Sequence, residues 1–466
     1  MSAAPTTPAS VRVGEELELA IASLAYGGEG IGRHGGLVVF VAGALPGDRV
    51  SCRVQQVKSH FARAELLAVL EPSPDRVAPF CPHAEECGGC SWQHLAYPAQ
   101  IQAKQLFVQN ALQHVGRIRT ASVPGVIKAV PQTGYRHKIQ IPLQAQNGDL
   151  AAGFYATKTH RVVPIAECPV QPVLGNRVLK AVRELAGVFG YRGYDETSGT
   201  GDLRHLVIRL GHHTKEALAI LVTPAESAPR LDEFSEQLIQ RVPELVGVVQ
   251  NVNTETTNVI LGRVFKSLAG RPYIYEEIEG LKFRISAGSF FQVNPFQLPQ
   301  LLSAVGQAAA LSGHESVVDL YCGVGLLTLS LARQARLVVG VEEVSSAVED
   351  AQANKHLNGF SQAEFLAADA AAGFRQLAAK GLQPDVVVLD PPRKGVDPKV
   401  LNQLCQTKPK RVVMVSCNPV TLARDLARLA SAGYRVLQAQ PLDFFPHTYH
   451  VETVATLVRK NHQGKH

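Results

Sequence analysis

The sequence predicts a multi-domain protein: a small N-terminal β-barrel, an α+β central domain and a C-terminal doubly wound α/β domain of Rossmann-like form. Three observations predict it. The chain has 466 residues, enough for several cores and about three domains of ordinary size. Residues 11–70 read as short strands separated by glycine turns. From about Val317 strands and helices alternate strictly, which argues a mainly parallel sheet covered by helices.

Taken in order, residues 1–10 are rich in Ala, Pro, Ser and Thr and are expected to form a disordered tail. Within 11–70, residues 16–21 alternate, 26–32 read as a flexible glycine loop, and 36–41 and 49–54 read as strands either side of the Pro46-Gly47-Asp48 turn. Pro72 and Pro74 mark a boundary. Residues 98–116 read as an amphipathic helix with Ile101, Leu106, Phe107, Ala111 and Leu112 on one side. The stretch 125–285 mixes strands at 206–208, 217–222 and 245–249 with a helix at 174–189. The C-terminal pattern predicts strands at 317–319, 337–341, 363–365, 386–389, 411–415, 434–437 and 451–458. Helices are predicted between them at 326–333, 345–357, 370–380, 397–406 and 420–432. The expected domains are the barrel (11–70), a central domain (75–95 and 125–285) and the α/β domain (96–124 and 286–466).

No apolar run is long enough to span a bilayer, and Met1-Ser2-Ala3-Ala4-Pro5 has neither the basic nor the apolar segment of a secretory signal. A cytoplasmic protein with no membrane partner is expected. The net charge of +6 is a mild excess. Basic residues gather at Arg53, Lys58, His60 and Arg63, at Arg136, His137 and Lys138, and at Lys158, His160 and Arg161. These clusters fit either a polyanionic partner or simple solvated faces.

In a doubly wound sheet, ligands bind beyond the carboxyl ends of the strands. The first such strand ends in Asp319-Leu320-Tyr321-Cys322-Gly323-Val324-Gly325, whose glycines let backbone approach a ligand at a helix N-terminus. The second ends in Glu342, placed to accept from two ribose hydroxyls. Asp369 follows the third and suits an adenine amino group; Asp390 ends the fourth. Thr328 stands where a dinucleotide fingerprint requires its third glycine. The pair Gly323 and Gly325 therefore fits S-adenosylmethionine better than a pyrophosphate.

Two further strand ends carry chemistry. Asp390-Pro391-Pro392-Arg393 is a stiff loop whose Arg393 offers a forked donor to a pyrimidine carbonyl or a phosphate. Cys417, before Asn418-Pro419 and a helix N-terminus, is the candidate nucleophile, with a lowered thiol pKa expected there. A thiolate adding to C6 of a pyrimidine makes C5 enolate-like and able to accept a methyl group. A base must then remove the C5 proton, and Glu452 is the candidate. Cys81, Cys87, Cys90 and the distant Cys168 make four thiolates, with Gly88-Gly89 allowing a sharp wrap. Such a set fits tetrahedral zinc or an iron–sulfur cluster.

Together these motifs resemble the bacterial 23S rRNA and tRNA uracil-C5 methyltransferase family, over nearly the whole chain. The likeness is greatest to the iron–sulfur-containing 23S rRNA (uracil-5-)-methyltransferases. The resemblance implies that 11–70 is a TRAM domain, an OB-like RNA-binding barrel. It implies a [4Fe–4S] cluster on Cys81, Cys87, Cys90 and Cys168. Phe291-Gln292-Val293-Asn294 matches the family's Phe-Gln-x-Asn motif and implies that Gln292 contacts S-adenosylmethionine. Tyr321, Gly323, Gly325, Glu342, Asp369 and Asp390 fall at cofactor or substrate positions. Cys417 matches the nucleophile and Glu452 the base, with Asp390 beside them. Leu326 departs from the Asn or Thr often found after the second glycine. The implied partner is RNA, 23S rRNA in the first instance and tRNA as the alternative, bound by a monomer. A flipped uridine is required because C6 of a stacked base is out of reach, and Arg393, Arg136 and Lys138 are expected to hold the RNA. Two rivals are weaker: an amino-methyltransferase would want an aromatic residue at Arg393, and a non-catalytic RNA-binding module would have no use for Cys417 and Glu452.

Overall fold

The computed structural model describes residues 11–146 and 149–460; the expectation for residues 1–10 lies outside these. The N-terminal strands are β1 (Glu16–Ala20), β2 (Ser23–Leu24), β3 (Gly30–His34), β4 (Leu37–Val41), β5 (Arg49–Val57) and β6 (Phe61–Glu71). They form one sheet in the order β1-β5-β6-β4-β3-β2. Gly32 of β3 lies against the Ala20 carbonyl of β1, so the sheet curls back on itself around Leu17, Leu19, Val39, Val41, Val50 and Val54. The stretch read as a loop at 26–32 is strand from Gly30 onward. β6 carries little period-two signal because its buried positions are only Ala62 and Ala64.

Helix α1 (Tyr97–Asn110) runs into a π-helical turn at Ala111–Val115. Its buried face is Gln100, Ile101, Lys104, Phe107 and Val108, whereas Leu106 is 52% exposed. The apolar stripe expected from sequence is therefore rotated, and two polar side chains occupy the inside.

The central sheet comprises β7 (Lys138–Gln146), β8 (Asp149–Tyr155), β9 (Val162–Pro164), β10 (His205–Leu210), β11 (Ala217–Thr223), β12 (Leu245–Val252) and β13 (Val264–Gly270), in the order β13-β12-β11-β10-β7-β8-β9. Helices α2 (Val173–Phe189) and α3 (Leu231–Arg241) pack through Val178, Val182, Leu185, Phe234 and Leu238 onto one face. The opposite face sends Val207, Leu218, Ile220 and Val249 into a core that also holds Phe283, Leu301 and Val388. Strands on both of whose faces side chains are covered read as continuous apolar runs, which is the pattern of β10 and β11. Each fully buried Val, Leu or Phe contributes about 1.5–3 kcal/mol.

A hairpin, β14 (Tyr273–Ile278) and β15 (Leu281–Ser286), precedes α4 (Leu298–Ala309). Then follow β16 (Ser316–Leu320), α5 (Leu326–Ala332), β17 (Leu337–Glu342), α6 (Ser345–Asn358), β18 (Ala363–Ala367), α7 (Ala370–Ala379), β19 (Val386–Leu389), α8 (Pro398–Thr407), β20 (Arg411–Ser416), α9 (Pro419–Ser431), β21 (Tyr434–Leu442) and β22 (Glu452–Arg459). The sheet order is β18-β17-β16-β19-β20-β22-β21. Strands β16 to β20 are parallel, while β22 runs antiparallel to both β20 and β21. The chain winds outward from β16 to β18, then returns to β19 on the other side. That reversal opens a crevice beyond the carboxyl ends of β16 and β19.

Candidate active site

The crevice is a narrow cleft lined by Phe291, Gln292, Asp319, Tyr321, Gly323 and Asp390, among others. Gly325 caps α5 at φ +87°, and a Cβ there would stand 2.8 Å from the Phe365 ring. Only glycine makes this turn without strain and collision. Tyr321 also sits at positive φ, +67°, a costly conformation for a bulky residue and one that clusters at binding sites. Glu342 Oε2 accepts from Gly323 N at 3.0 Å and its Oε1 from Val344 N at 2.9 Å, so the carboxylate is fixed at the end of β17. Asp369 caps α7: its Oδ1 accepts from Ala371 N and Ala372 N at 2.9 and 3.1 Å. Leu326 begins α5, buried and on the cleft wall. Asp319 is wholly buried, accepts from Thr328 Oγ1 at 2.6 Å and leaves Oδ1 unpartnered. Burial, with Asp390 and Glu342 nearby, pushes its carboxyl up to about 7.

At the adjoining strand ends, Gln292 Nε2 donates to Asp390 Oδ2 at 3.3 Å. Ser416, the last residue of β20, pairs with Thr453 of β22; Cys417 follows the one and Glu452 precedes the other, and the Glu452 charge acts on the thiol. Asn418 Nδ2 and Thr421 Oγ1 both donate to the Arg393 carbonyl at 3.3 Å. The Asp390–Arg393 loop is thereby laced to the turn after Cys417. Arg393 Nη2 lies 3.4 Å from His450 Nε2. Four expected residues, Asp390, Arg393, Cys417 and Glu452, thus share one site beside the cleft.

The electrostatics correct one expectation. The Cys417 thiol is pushed up to about 11, by burial first and by Glu452 next, with Arg393 acting the other way. The helix N-terminus does not offset this because Asn418 Oδ1 takes the first free amides of α9, Val420 N and Thr421 N, at 3.0 and 3.4 Å. Burial also raises the Glu452 carboxyl well above the usual carboxylate range, reinforced by Asp390 and opposed by Arg393. Asp390 itself is pushed up to about 7 by burial. The site is a desolvated set of acids facing one guanidinium, and the free protein holds Cys417 as a thiol.

Sequence reasoning missed what holds the loop leading into Glu452. On α1, Tyr97 OH donates to Asp443 Oδ2 at 2.8 Å, and Lys104 Nζ donates to Asp443 Oδ1 at 2.5 Å and to the Phe445 carbonyl at 2.9 Å. Gln100 Oε1 accepts from His447 N at 2.9 Å. Positions 97, 100 and 104 are spaced to share a helix face, and that spacing was the available signal. Asn294 Nδ2 donates to the Phe444 carbonyl at 3.1 Å, and Tyr135 OH donates to the Pro446 carbonyl at 3.1 Å. Tyr26, from the N-terminal barrel, donates to the Cys417 carbonyl at 3.1 Å.

Of the three basic clusters, one is ion-paired at half of its residues and one at all three. Arg53 meets Glu16 at 2.8 Å, Arg63 and Lys158 meet Glu29 at 3.3 and 3.5 Å, His160 meets Glu196 at 2.7 Å and Arg161 meets Glu86 at 2.9 Å. Lys138 is half-buried with its ammonium 5.7 Å from the Phe290 ring centre. Burial, then Arg209 and Arg136, push its pKa down to about 7.

Three of the four cysteines, Cys87, Cys90 and Cys168, meet at one small apolar cluster. Cys87 and Cys90 pack on buried Cys168 with Tyr135, Val163 and Ile165, and Cys81 and Cys87 both disfavour ionisation of Cys90. Burial pushes the Cys168 thiol up to about 12. Among the described residues no three His, Cys, Asp or Glu side chains form a group that could hold a metal ion. No described helix is long and apolar enough to cross a membrane.

A model of the tRNA (Uracil-5-)-methyltransferase family matches residues 259–460, and one of the TRAM domain matches residues 10–67. An uncharacterized RNA methyltransferase of Halalkalibacterium halodurans is 42% identical, covering 97% of this chain and 99% of its own. Another, of Gloeobacter violaceus, is 41% identical over 98% and 99%. Among solved structures, the Pyrococcus abyssi tRNA (uracil-54, C5)-methyltransferase in complex with S-adenosyl-L-homocysteine superposes with a TM-score of 0.75 and 28% identity, covering 95% of this chain and 100% of that one.

Proposed function

The chain belongs to the RNA (uracil-5-)-methyltransferase family, and on that premise we propose that it methylates C5 of a specific uridine in 23S rRNA through a covalent Cys417–C6 adduct. That it is an S-adenosylmethionine-dependent RNA methyltransferase follows from the family. The observation that supports the finer reading is the meeting of the two strand ends: Cys417 directly follows β20, Glu452 opens the paired strand β22, and the Glu452 charge acts on the thiol.

The cleft fits the cofactor: it has glycines at positive φ, an acid fixed at the end of β17 and a buried acid with an unpartnered oxygen. Gln292, Tyr321, Gly323, Gly325, Glu342, Asp369 and Asp390 would hold it. When bound, S-adenosylmethionine supplies the methyl group. Cys417 Sγ, having lost its proton to water, adds to C6 of the flipped uracil. An S–C6 bond forms and the C5=C6 pair moves toward C5 and O4. Arg393 stabilises the negative charge at both the thiolate and O4. Once C5 bears methyl and hydrogen together, Glu452 takes the hydrogen as a proton. The C5=C6 bond re-forms as the C6–S pair returns to sulfur. A carboxyl raised this far is, when ionised, a correspondingly strong base.

Phe290, exposed beside the cleft, and the basic pair Arg136 and Lys138 offer surfaces for the flanking RNA. The described cysteines would hold a [4Fe–4S] cluster on Cys81, Cys87, Cys90 and Cys168. Support comes from the donor set alone: four cysteines, three of them in or against one small apolar cluster, are thiolate ligands suited to iron–sulfur. The alternative RNA is tRNA, favoured by the likeness to the Pyrococcus abyssi tRNA (uracil-54, C5)-methyltransferase.

Incubation with methyl-labelled S-adenosylmethionine and total RNA should place label in 5-methyluridine. Cys417→Ala should abolish it. Full methyl transfer by Cys417→Ala would sink the covalent mechanism. Mapping the modified nucleotide in cells with and without the gene separates 23S rRNA from tRNA.

A further inference from the structure

We propose that Tyr26 of the N-terminal barrel is a positioning residue for Cys417, so that the barrel is a built part of the catalytic site as well as a handle for RNA. The proposal rests on the reading of Cys417 as nucleophile. Cys417 lies between the last residue of β20 and the cap of α9. Its carbonyl therefore stands outside both the sheet ladder and the helix. It accepts instead from the Tyr26 hydroxyl at 3.1 Å, across a sequence separation of 391 residues.

The tyrosine is itself held firmly. Its ring meets Phe107 of α1 and Tyr449 of the loop before Glu452 edge-on, each with centroids 5.6 Å apart. Two residues on, the Gly28 carbonyl accepts from Trp92 Nε1 at 3.4 Å. A Cβ on Gly28, at φ +89°, would stand 3.1 Å from Trp92 Nε1 and 3.2 Å from Tyr449 Cδ1. The glycine loop of the barrel is thus pressed onto the wall that carries both catalytic side chains. Burial raises the Tyr26 pKa, with Cys417, Tyr449 and Glu452 adding to it and Arg393 opposing. The hydroxyl therefore stays a neutral donor and faces the same groups that surround the thiol.

One oxygen fixes the backbone turn from which the thiol projects. Without it, Sγ is free to wander by fractions of an ångström, which is costly for attack on a fixed C6. Tyr26→Phe deletes only that oxygen and keeps the ring packing. Two measurements on the full-length protein test the proposal. In the first, total RNA from cells grown with 5-fluorouracil is the probe, because fluorine at C5 cannot leave as a proton and the adduct is trapped. At saturating RNA, Tyr26→Phe should form the denaturant-stable adduct about fivefold more slowly, the worth of one hydrogen bond. RNA affinity by filter binding and the melting temperature should stay at wild-type values. An unchanged adduct rate overturns the proposal, as does a slower rate accompanied by an equal loss of RNA affinity. In the second, iodoacetamide alkylation of Cys417 in RNA-free protein is read by peptide mass spectrometry. Release of the turn should make Cys417 react faster in Tyr26→Phe, and equal rates overturn the proposal. Absence of adduct in the wild-type protein would count against the proposed reaction alone, since the alkylation arm needs no RNA.

Discussion

A buried thiol at about 11 holds its proton at neutral pH, so Cys417 gains its reactivity at the moment of attack and not before. The group that favours its thiolate is Arg393, which belongs to the neighbouring strand-end loop and is held there by Asn418 and Thr421. The same guanidinium opposes the raised pKa of Glu452. One cation thus eases ionisation of both the proposed nucleophile and the proposed base, and a substrate that reorients Arg393 acts on both. In the proposed reaction Glu452 is needed only after the methyl group has arrived. Glu452→Gln keeps the shape and hydrogen-bonding of the neutral carboxyl but cannot take the C5 proton. The expected outcome is a covalent protein–RNA complex that carries the transferred methyl group and accumulates, with turnover lowered about 10²–10⁴-fold. A denaturing gel with methyl-labelled cofactor reads it directly. Release of free methylated RNA at the wild-type rate would show that another group is the base.

Helix α1 shows why elements were readable and their tertiary duties were not. Its existence follows from apolar spacing, but its buried face includes Lys104, 0% exposed and paired with equally buried Asp443. Burial lowers the Lys104 pKa and the Asp443 charge raises it; the pair survives because Tyr97 and the Phe445 carbonyl satisfy the remaining valences. Removing one member leaves a buried charge alone. Lys104→Met should therefore destabilise the protein by about 3–5 kcal/mol, measured as a drop in denaturant midpoint, and the double change with Asp443→Leu should recover much of it. A single mutant as stable as wild type would show that the pair is solvated. The C-terminal strands and helices were legible because βαβ units impose one rhythm. α3 buries Leu231, Phe234, Ser235 and Leu238, the i, i+3, i+4, i+7 spacing of an amphipathic helix, so its signal stood in the sequence although it was missed. The strand-end acids and Cys417 were legible from their place after apolar runs. Their ionisation was not, because it depends on burial and on Asn418 occupying the amides of α9.

At the scale of the whole molecule, three parts of the chain converge on the loop 443–450 that leads into Glu452. The barrel touches it through Tyr26 and Tyr449, α1 through Tyr97, Gln100 and Lys104, and the cysteine region through Tyr135 and through Phe80, whose ring lies 4.9 Å from that of His447. Tyr135 belongs to the apolar cluster that holds Cys168 and against which Cys87 and Cys90 pack. A group that locks those four thiols together would therefore stiffen the floor of the catalytic loop without touching the substrate, which is a structural use of an iron–sulfur cluster. On the proposed cluster, anaerobically purified wild-type protein should show iron–sulfur absorbance, and Cys168→Ser should lose it and lower the melting temperature. Backbone amides of 443–450 should exchange with solvent faster than in wild type, while those of the central strand β16 keep their protection, because local opening follows local contacts. Stoichiometric zinc with no iron in the wild-type protein would overturn the cluster assignment. Unchanged exchange in the loop would overturn the mechanical link between the cysteines and Glu452 while leaving the methyl-transfer chemistry where Cys417 and the cofactor cleft put it.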